Sequence, residues 1–252
     1  MSNILIYPAG CTPACHAAAR ELARSGIAIT DHITPEATHL LLDVPSFASK
    51  GVLRSGASFA ELMSLVPEGI TLIGGNIPED VAAKYPTLDL LRDDTYQFGN
   101  AAITAECALR VAAERICFTL RKAPVLIVGW GRIGKHLAFL LKAYGANVTI
   151  LSRSTRHRAE AASFALQPLS PETLPKRIGE FRIIFNTAPG IMIPREVAEI
   201  GENCLKIDLA STAGIEGEDV IRANGLPGIH APESTGRLMT DTILRLIEEG
   251  AQ

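Results

Sequence analysis

Apolar positions fall along this chain in short continuous runs, and the stretches between them carry helical spacing. Asn3–Tyr7 is an apolar run that predicts a buried strand. Pro13–Arg24 follows at helical period and stops at Ser25-Gly26, a good C-terminal signal. Ile27–Thr30 and Thr38–Val44 predict strands separated by a turn near Pro35. Phe59–Leu65 predicts a helix, and Gly69–Ile73 a strand ahead of Gly74-Gly75-Asn76. Strands alternating with helices predict a small parallel sheet, a flavodoxin-like N-terminal domain over residues 1–98.

From Ala101 to Arg121 there is neither Gly nor Pro, and alanine is dense. With Asn100 as N-cap, this predicts a long connecting helix over 99–122, ended by Pro124. Glu106 and Arg110 form an i,i+4 pair along it. Beyond Pro124 the alternation becomes regular. Val125–Val128 is a strand, Arg132–Tyr144 a helix closed by Gly145, Asn147–Leu151 a strand and Ser154–Ala165 a helix. Ile183–Asn186 and Leu205–Asp208 predict further strands, Pro194–Ile200 and Glu218–Ala223 helices, and Gly228–His230 a last short strand. Thr235–Glu249 is an amphipathic terminal helix whose apolar side is Leu238, Ile243, Leu246 and Ile247. The expected fold class is α/β with two domains. A Rossmann dinucleotide-binding domain occupies 123–236, and the C-terminal helix, 237–252, packs back between the two domains.

Composition narrows the classes without naming one. The 252 residues are 47% hydrophobic and 20% charged, with a net charge of -3. That gives no basic face for nucleic acid, and no apolar run approaches the roughly 20 residues of a membrane span. Five scattered cysteines and the absence of a basic leader at Met1-Ser2-Asn3 point to a reduced, cytoplasmic setting. Cys11, Cys15 and His16 lie close in sequence but have no second cluster to complete a zinc site, so no metal is expected.

The strongest chemical signal is Gly129-Trp130-Gly131-Arg132-Ile133-Gly134, because it follows a strand and opens a helix. Gly129 allows a tight turn, Gly131 lets a pyrophosphate approach the backbone, and Gly134 permits close packing of the helix on the sheet. A second strand ends about 20 residues later, where an NAD site usually carries Asp or Glu. Here it reads Ser152-Arg153-Ser154, whose hydroxyls and guanidinium suit a 2′-phosphate. The expected cofactor is therefore NADP, with NAD as the alternative. Asn186, Thr187 and Asp208 close two further strands on the side where such sheets bind ligands, and are expected to contact the ribose or nicotinamide.

Several segments together resemble the dipicolinate synthase A-subunit family. They are Asn100-Ala101-Ala102-Ile103-Thr104-Ala105-Glu106, the glycine turn with its flanking strands, Ile207-Asp208-Leu209-Ala210-Ser211, and His230-Ala231-Pro232-Glu233-Ser234-Thr235-Gly236. The resemblance covers about residues 94–245. It implies oxidation, in sporulation, of a dihydrodipicolinate-type cyclic dicarboxylate to dipicolinate. It also implies a nicotinamide cofactor and a flavoprotein-like B subunit as partner; the chain itself is expected to form a homo-oligomer. In that setting His230 is a candidate to move the proton, with Asn100 and Thr104, one helical turn apart, beside it. Ser234, Thr235 and Arg237, at the start of the terminal helix, suit a substrate carboxylate. Two alternatives stand beside it: another two-domain dehydrogenase of 2-hydroxyacid type, and a non-catalytic dinucleotide-binding subunit. One departure is plain. The family carries Gly-Asp-x-Arg after its first strand, where this chain has Pro8-Ala9-Gly10-Cys11-Thr12-Pro13.

Overall fold

The computed structural model describes residues 4–201 and 203–250; Asn3, expected to begin the first strand, lies outside them. The chain forms two compact units. One takes residues 1–100 and 227–252, the other residues 101–226.

The first unit contains β1 (Leu5–Pro8), α1 (Pro13–Arg24), β2 (Ala28–Ile29), β3 (His39–Leu41) and a small hairpin of β4 (Phe47–Ser49) and β5 (Val52–Leu53). Then come α2 (Phe59–Met63), β6 (Thr71–Gly74), α3 (Glu79–Ala82), β7 (Thr87–Asp89) and the start of α4 (Asp94–Ala113). Its sheet is parallel in the order β2-β1-β3-β6-β7. With the hairpin set aside this is the 2-1-3-4-5 order of flavodoxin-like sheets. Adjacent residues serve opposite faces. Leu41 and Ile73 join Ile6 in one core cluster, whereas Leu40, Leu42 and Leu72 join another. Burial on both faces explains why these strands are continuous apolar runs rather than alternating ones.

The second unit holds β8 (Pro124–Val128), α5 (Arg132–Ala143), β9 (Asn147–Leu151), α6 (Thr155–Ser163), β10 (Gln167–Leu169) and α7 (Leu174–Arg177). It continues through β11 (Ile183–Asn186), α8 (Arg195–Ile200), β12 (Leu205–Asp208) and β13 (Val220–Arg222). Its six parallel strands run β10-β9-β8-β11-β12-β13. That is the 3-2-1-4-5-6 order of dinucleotide-binding sheets, whose switch point lies between β8 and β11. The chain then returns to the first unit through α9 (Leu226–His230) and α10 (Pro232–Gly250).

Three elements differ from expectation, each for a local reason. The long helix begins at Asp94, not after Asn100, because the Asp93 carboxylate accepts from the Tyr96 N–H at 2.7 Å. Gly99 then sits inside the helix, where a Cβ would come within 2.6 Å of the Leu238 side chain. The helix ends at Ala113, well before Pro124: Arg115 turns back to the Val111 carbonyl, and Phe118 lies under the Arg182 guanidinium at 4.2 Å. Within residues 218–223, expected as a helix, Val220–Arg222 forms an edge strand, with Val220 in register with Lys206. His230 ends a short helix, not a strand; Pro227 leads that helix and its carbonyl accepts from the Ala231 N–H.

The terminal helix, expected to return between the domains, packs on α1 within the first unit. A Cβ on Gly236 would stand 2.5 Å from that of Ala17, and Thr240 Oγ1 donates to the Ala18 carbonyl. Small residues on both sides let the two helix backbones meet closely. No helix among the described residues is long and apolar enough to cross a membrane.

Candidate functional site

The site grows out of the turn between β8 and α5. Gly129 has φ of +100°, a left-handed conformation that only glycine adopts readily. A side chain there would also strike Thr187 Oγ1, at 2.7 Å from the ideal Cβ. Gly134 is fixed by packing, since its Cβ would lie 2.6 Å from the Gly129 carbonyl oxygen. Gly131 is different. Its φ of -85° suits any residue, and a Cβ would meet no atom within 4 Å. The fold makes no demand for glycine at 131, and Gly131 caps α5 without any side-chain hydrogen bond. Open space before the uncapped N-terminus of a 12-residue helix is the cradle a pyrophosphate needs.

A cleft of about 290 Å³ opens beside this turn. It is lined by Gly129, Trp130 and Gly131, by Leu151 to Ser154 with His157, and by Thr187, Ala188, Pro189 and Met192. Seven expected cofactor residues therefore meet at one place: Gly129, Trp130, Gly131, Ser152, Arg153, Ser154 and Thr187. The three hydroxyl residues among them are positioned by backbone groups. Thr187 Oγ1 donates to the Val128 carbonyl at 2.9 Å, tying the loop after β11 to the glycine turn. Ser152 Oγ accepts from the Ser154 N–H at 3.2 Å, and Ser154 Oγ caps α6 by accepting from the His157 N–H. Both hydroxyls keep a proton to donate. Arg153 is exposed. Arg158 is turned to the backbone instead, donating to the carbonyls of Ser152 and Arg153. Glu160, an acid of α6, is bound to Lys135 at 2.6 Å, which holds its carboxyl below the usual range.

Other expected residues do not line the cleft. Asn186 and Asp208 are buried and clamp the loops after β11 and β12. Asn186 Nδ2 donates to Asp208 Oδ1 at 2.7 Å and to the Ala188 carbonyl. Asp208 also accepts from the N–H groups of Ala210, Gly214 and Ile215 and from Arg222. These bonds join the two side chains to each other, to the loops after β11 and β12 and to Arg222. Arg132 and Ile133 open α5, and Gly134 is buried behind the turn.

On the substrate side, Asn100 and Thr104 lie one turn apart in α4, with Thr104 buried. Arg110 Nε bonds Glu114 at 3.2 Å. His230 is half-buried at the end of α9. Ser234 and Arg237 are exposed in the first turns of α10, whereas Thr235 is buried and its hydroxyl donates to the Ala231 carbonyl. Thr235 therefore has no proton free for a carboxylate.

His157 and Met192 line the cleft without having been expected there. The signal for His157 lay in the sequence: no acid occurs between Leu151 and Glu160, and His157 falls three residues after the cap Ser154.

Residues 98–191 match the family described as D-isomer specific 2-hydroxyacid dehydrogenase, NAD binding domain. This segment is thus similar to nicotinamide-dinucleotide-binding domains of dehydrogenase type. The A subunit of dipicolinate synthase from Bacillus subtilis (strain 168) is 29% identical over 182 residues. That alignment covers 68% of this chain but only 61% of the relative. The crystal structure of the dipicolinate synthase A subunit from Bacillus halodurans superposes with a TM-score of 0.82 at 20% identity, covering 97% of both chains. The apo structure of D-lactate dehydrogenase from Escherichia coli reaches 0.59 at 13% identity, over 98% of this chain and 97% of that one. The chain resembles the dipicolinate synthase A subunit in sequence, and it shares the fold of that protein's solved structures.

Proposed function

We propose that this chain is an NADP-dependent oxidoreductase acting on a dihydrodipicolinate-type cyclic dicarboxylate, as a dipicolinate synthase A-like subunit. The observation that carries the cofactor reading is the cleft at the end of β9, which offers two hydroxyls, a guanidinium and an imidazole where an NAD site would place a carboxylate. The substrate reading is carried by the resemblance to the A subunit of dipicolinate synthase.

Gly129 to Gly131 and the first N–H groups of α5 hold the pyrophosphate. Ser152, Arg153 and Ser154 hold the 2′-phosphate by donating to it. Bound NADP supplies a nicotinamide ring that accepts hydride. The chain's own part is then to orient the ring of the substrate and to remove one proton. His230, whose imidazole is a proton acceptor, is assigned that step, with Asn100 and Thr104 orienting. Ser234 and Arg237 hold a carboxylate. A second, flavoprotein-like subunit belongs to this reading as the partner protein.

The test has two arms. In the first, NADP raises the melting temperature more than NAD does, and Arg153→Glu weakens NADP more than NAD by about tenfold or more, as loss of a charge-assisted contact with added repulsion requires. Equal loss of both cofactors overturns the 2′-phosphate assignment. In the second, the full chain reduces NADP when given the cyclic dicarboxylate, and His230→Asn slows this. No reduction, with or without a co-expressed flavoprotein-like partner, overturns the substrate.

A further inference from the structure

We propose that His157 is a specificity-determining residue of this cleft, donating to the 2′-phosphate of NADP beside Arg153. The inference rests on the NADP reading and adds a residue to it.

His157 stands in the first turn of α6 and is held there twice. Its backbone N–H is taken by Ser154 Oγ at 3.3 Å, and its Nδ1 lies 3.4 Å from Ser152 Oγ. Ser152 Oγ already accepts from the Ser154 N–H, so the hydroxyl proton of Ser152 is free to point at Nδ1. With Nδ1 accepting, the neutral ring carries its proton on Nε2. The protonated ring keeps that Nε2–H, adds a positive charge and donates its Nδ1–H to Ser152 Oγ, which frees the Ser152 proton for the phosphate. In either state the ring, which lines the cleft, offers a donor to an acceptor-only group such as a phosphate.

The charges facing the ring favour an anion. From its own helix come Arg156, exposed, Arg158, folded onto the carbonyls of Ser152 and Arg153, and Glu160, which feels the charge of His157 but is paired with Lys135 of α5. Arg153 comes from the loop after β9. The loop after β11 brings Thr187, Ala188, Pro189 and Met192, none of them charged. Among the described residues, Arg153 and His157 are the two side chains lining the cleft that can carry positive charge, and no acidic side chain lines it. A residue in this place makes the preference for NADP depend on pH, because histidine changes charge near neutrality.

The experiment titrates the full chain with NADP and with NAD at about pH 6.5 and about pH 8, where imidazoles change charge. Calorimetry is the primary signal. Fluorescence is an independent one, since the chain has one tryptophan and Trp130 lines the cleft. The phosphate of NADP itself gains a proton near about pH 6, but equally for every variant. The difference between variants is therefore the measure. In the wild type the ratio of NAD to NADP dissociation constants rises about threefold or more toward the lower pH, as a charge-assisted contact forms. His157→Gln lowers that ratio at the lower pH and flattens its pH dependence. His157→Lys keeps a high ratio and loses the pH dependence, which also guards against a Gln variant that folds poorly. A high wild-type ratio that His157→Gln leaves unchanged, with its pH slope, overturns the inference alone. A wild-type ratio near one at both pH values overturns the NADP reading and the inference with it.

Discussion

The two units make the same strand–loop–helix step at the centre of a parallel sheet, and they finish it in opposite ways. In the first, the loop after β1 leads into α1, and the carboxylate of Asp43, from beyond β3, fills the space before that helix. Asp43 is 3% exposed. It accepts from the backbone N–H groups of Cys11 and Thr12 at 3.0 and 2.9 Å, from the Thr12 hydroxyl and from the Cys11 thiol. Thr12 Oγ1 in turn accepts from the Cys15 N–H. In the second unit the loop after β8 leads into α5, and its cap, Gly131, brings no side chain at all. One helix start is satisfied by the protein's own anion, the other is left for a ligand. Identical topology thus does not imply a duplicated binding site. What decides is whether the chain closes the nest itself.

The contrast can be broken most severely at Asp43. Asp43→Ala strands two backbone donors and a hydroxyl in a buried place, and is expected to cost about 4 kcal/mol in denaturant unfolding. A loss below about 1 kcal/mol would mean that water replaces the carboxylate easily.

Next comes a readout that separates the units. Burial, followed by the charge of Asp43, pushes the Cys15 thiol up to about 12; burial likewise pushes Cys204, in the second unit, up to about 12. Both should resist thiol labelling until their surroundings open. NADP at about a hundred times its dissociation constant should slow Cys204 labelling about a hundredfold and leave Cys15 unchanged. Equal slowing of both would show that the two units open together.

Paired glycine substitutions sharpen the same point. A Cβ on Gly10 would lie 2.5 Å from Cys15 Sγ and 2.9 Å from the Asp43 backbone nitrogen, so Gly10→Ala is expected to cost about 2 kcal/mol by overpacking. Gly131→Ala should change stability by no more than about 0.5 kcal/mol, because its Cβ meets nothing. It should nevertheless weaken cofactor binding about tenfold or more by keeping the pyrophosphate off the backbone. The reverse pattern would contradict the assignment of an open and a closed nest.

The smallest effect concerns acid stability of the first unit. Burial pushes the Asp93 carboxyl up, but the Tyr96 N–H and the Arg245 guanidinium at 2.7 Å outweigh it, and the group sits below its ordinary range. A carboxyl depressed in the folded state adds stability above its unfolded value, near about 3.9, and loses it as the pH falls through the folded value. Arg245→Ala should therefore lower stability slightly at neutral pH, since solvent screens the pair, and change it hardly at all in strong acid. Unfolding curves at the two pH values check this.

The features legible in the sequence were those fixed by local chemistry. Gly129 and Gly134 stand in a glycine turn that follows an apolar strand and opens a helix, and the missing acid after Leu151 is visible without coordinates. What escaped was set by distant partners. The sequence predicts a helix start near Asn100, yet Gly99 already lies within the helix, and its missing side chain admits that of Leu238. Residues 218–223 have helical composition, but Val220–Arg222 gains a strand partner in β12. Asn186 and Asp208 sit at strand ends as expected. Their side chains are drawn into each other and into the loop at residues 210–215, contacts that chain order does not announce. Asp43 was invisible for the same reason, lying 31 positions from the hydroxyl it holds.

The close crossing of α1 and α10 bears on how the molecule is made. Thr240 reaches the carbonyl of Ala18 across 222 positions of chain. On the ribosome, α1 and β1 emerge early, but the helix that covers them arrives only after the entire second unit has been synthesised. The later unit is contiguous, so it can complete its core first, while the earlier one waits with part of its apolar surface uncovered. During that interval the N-terminal sheet is the segment most exposed to misassociation and most dependent on chaperones.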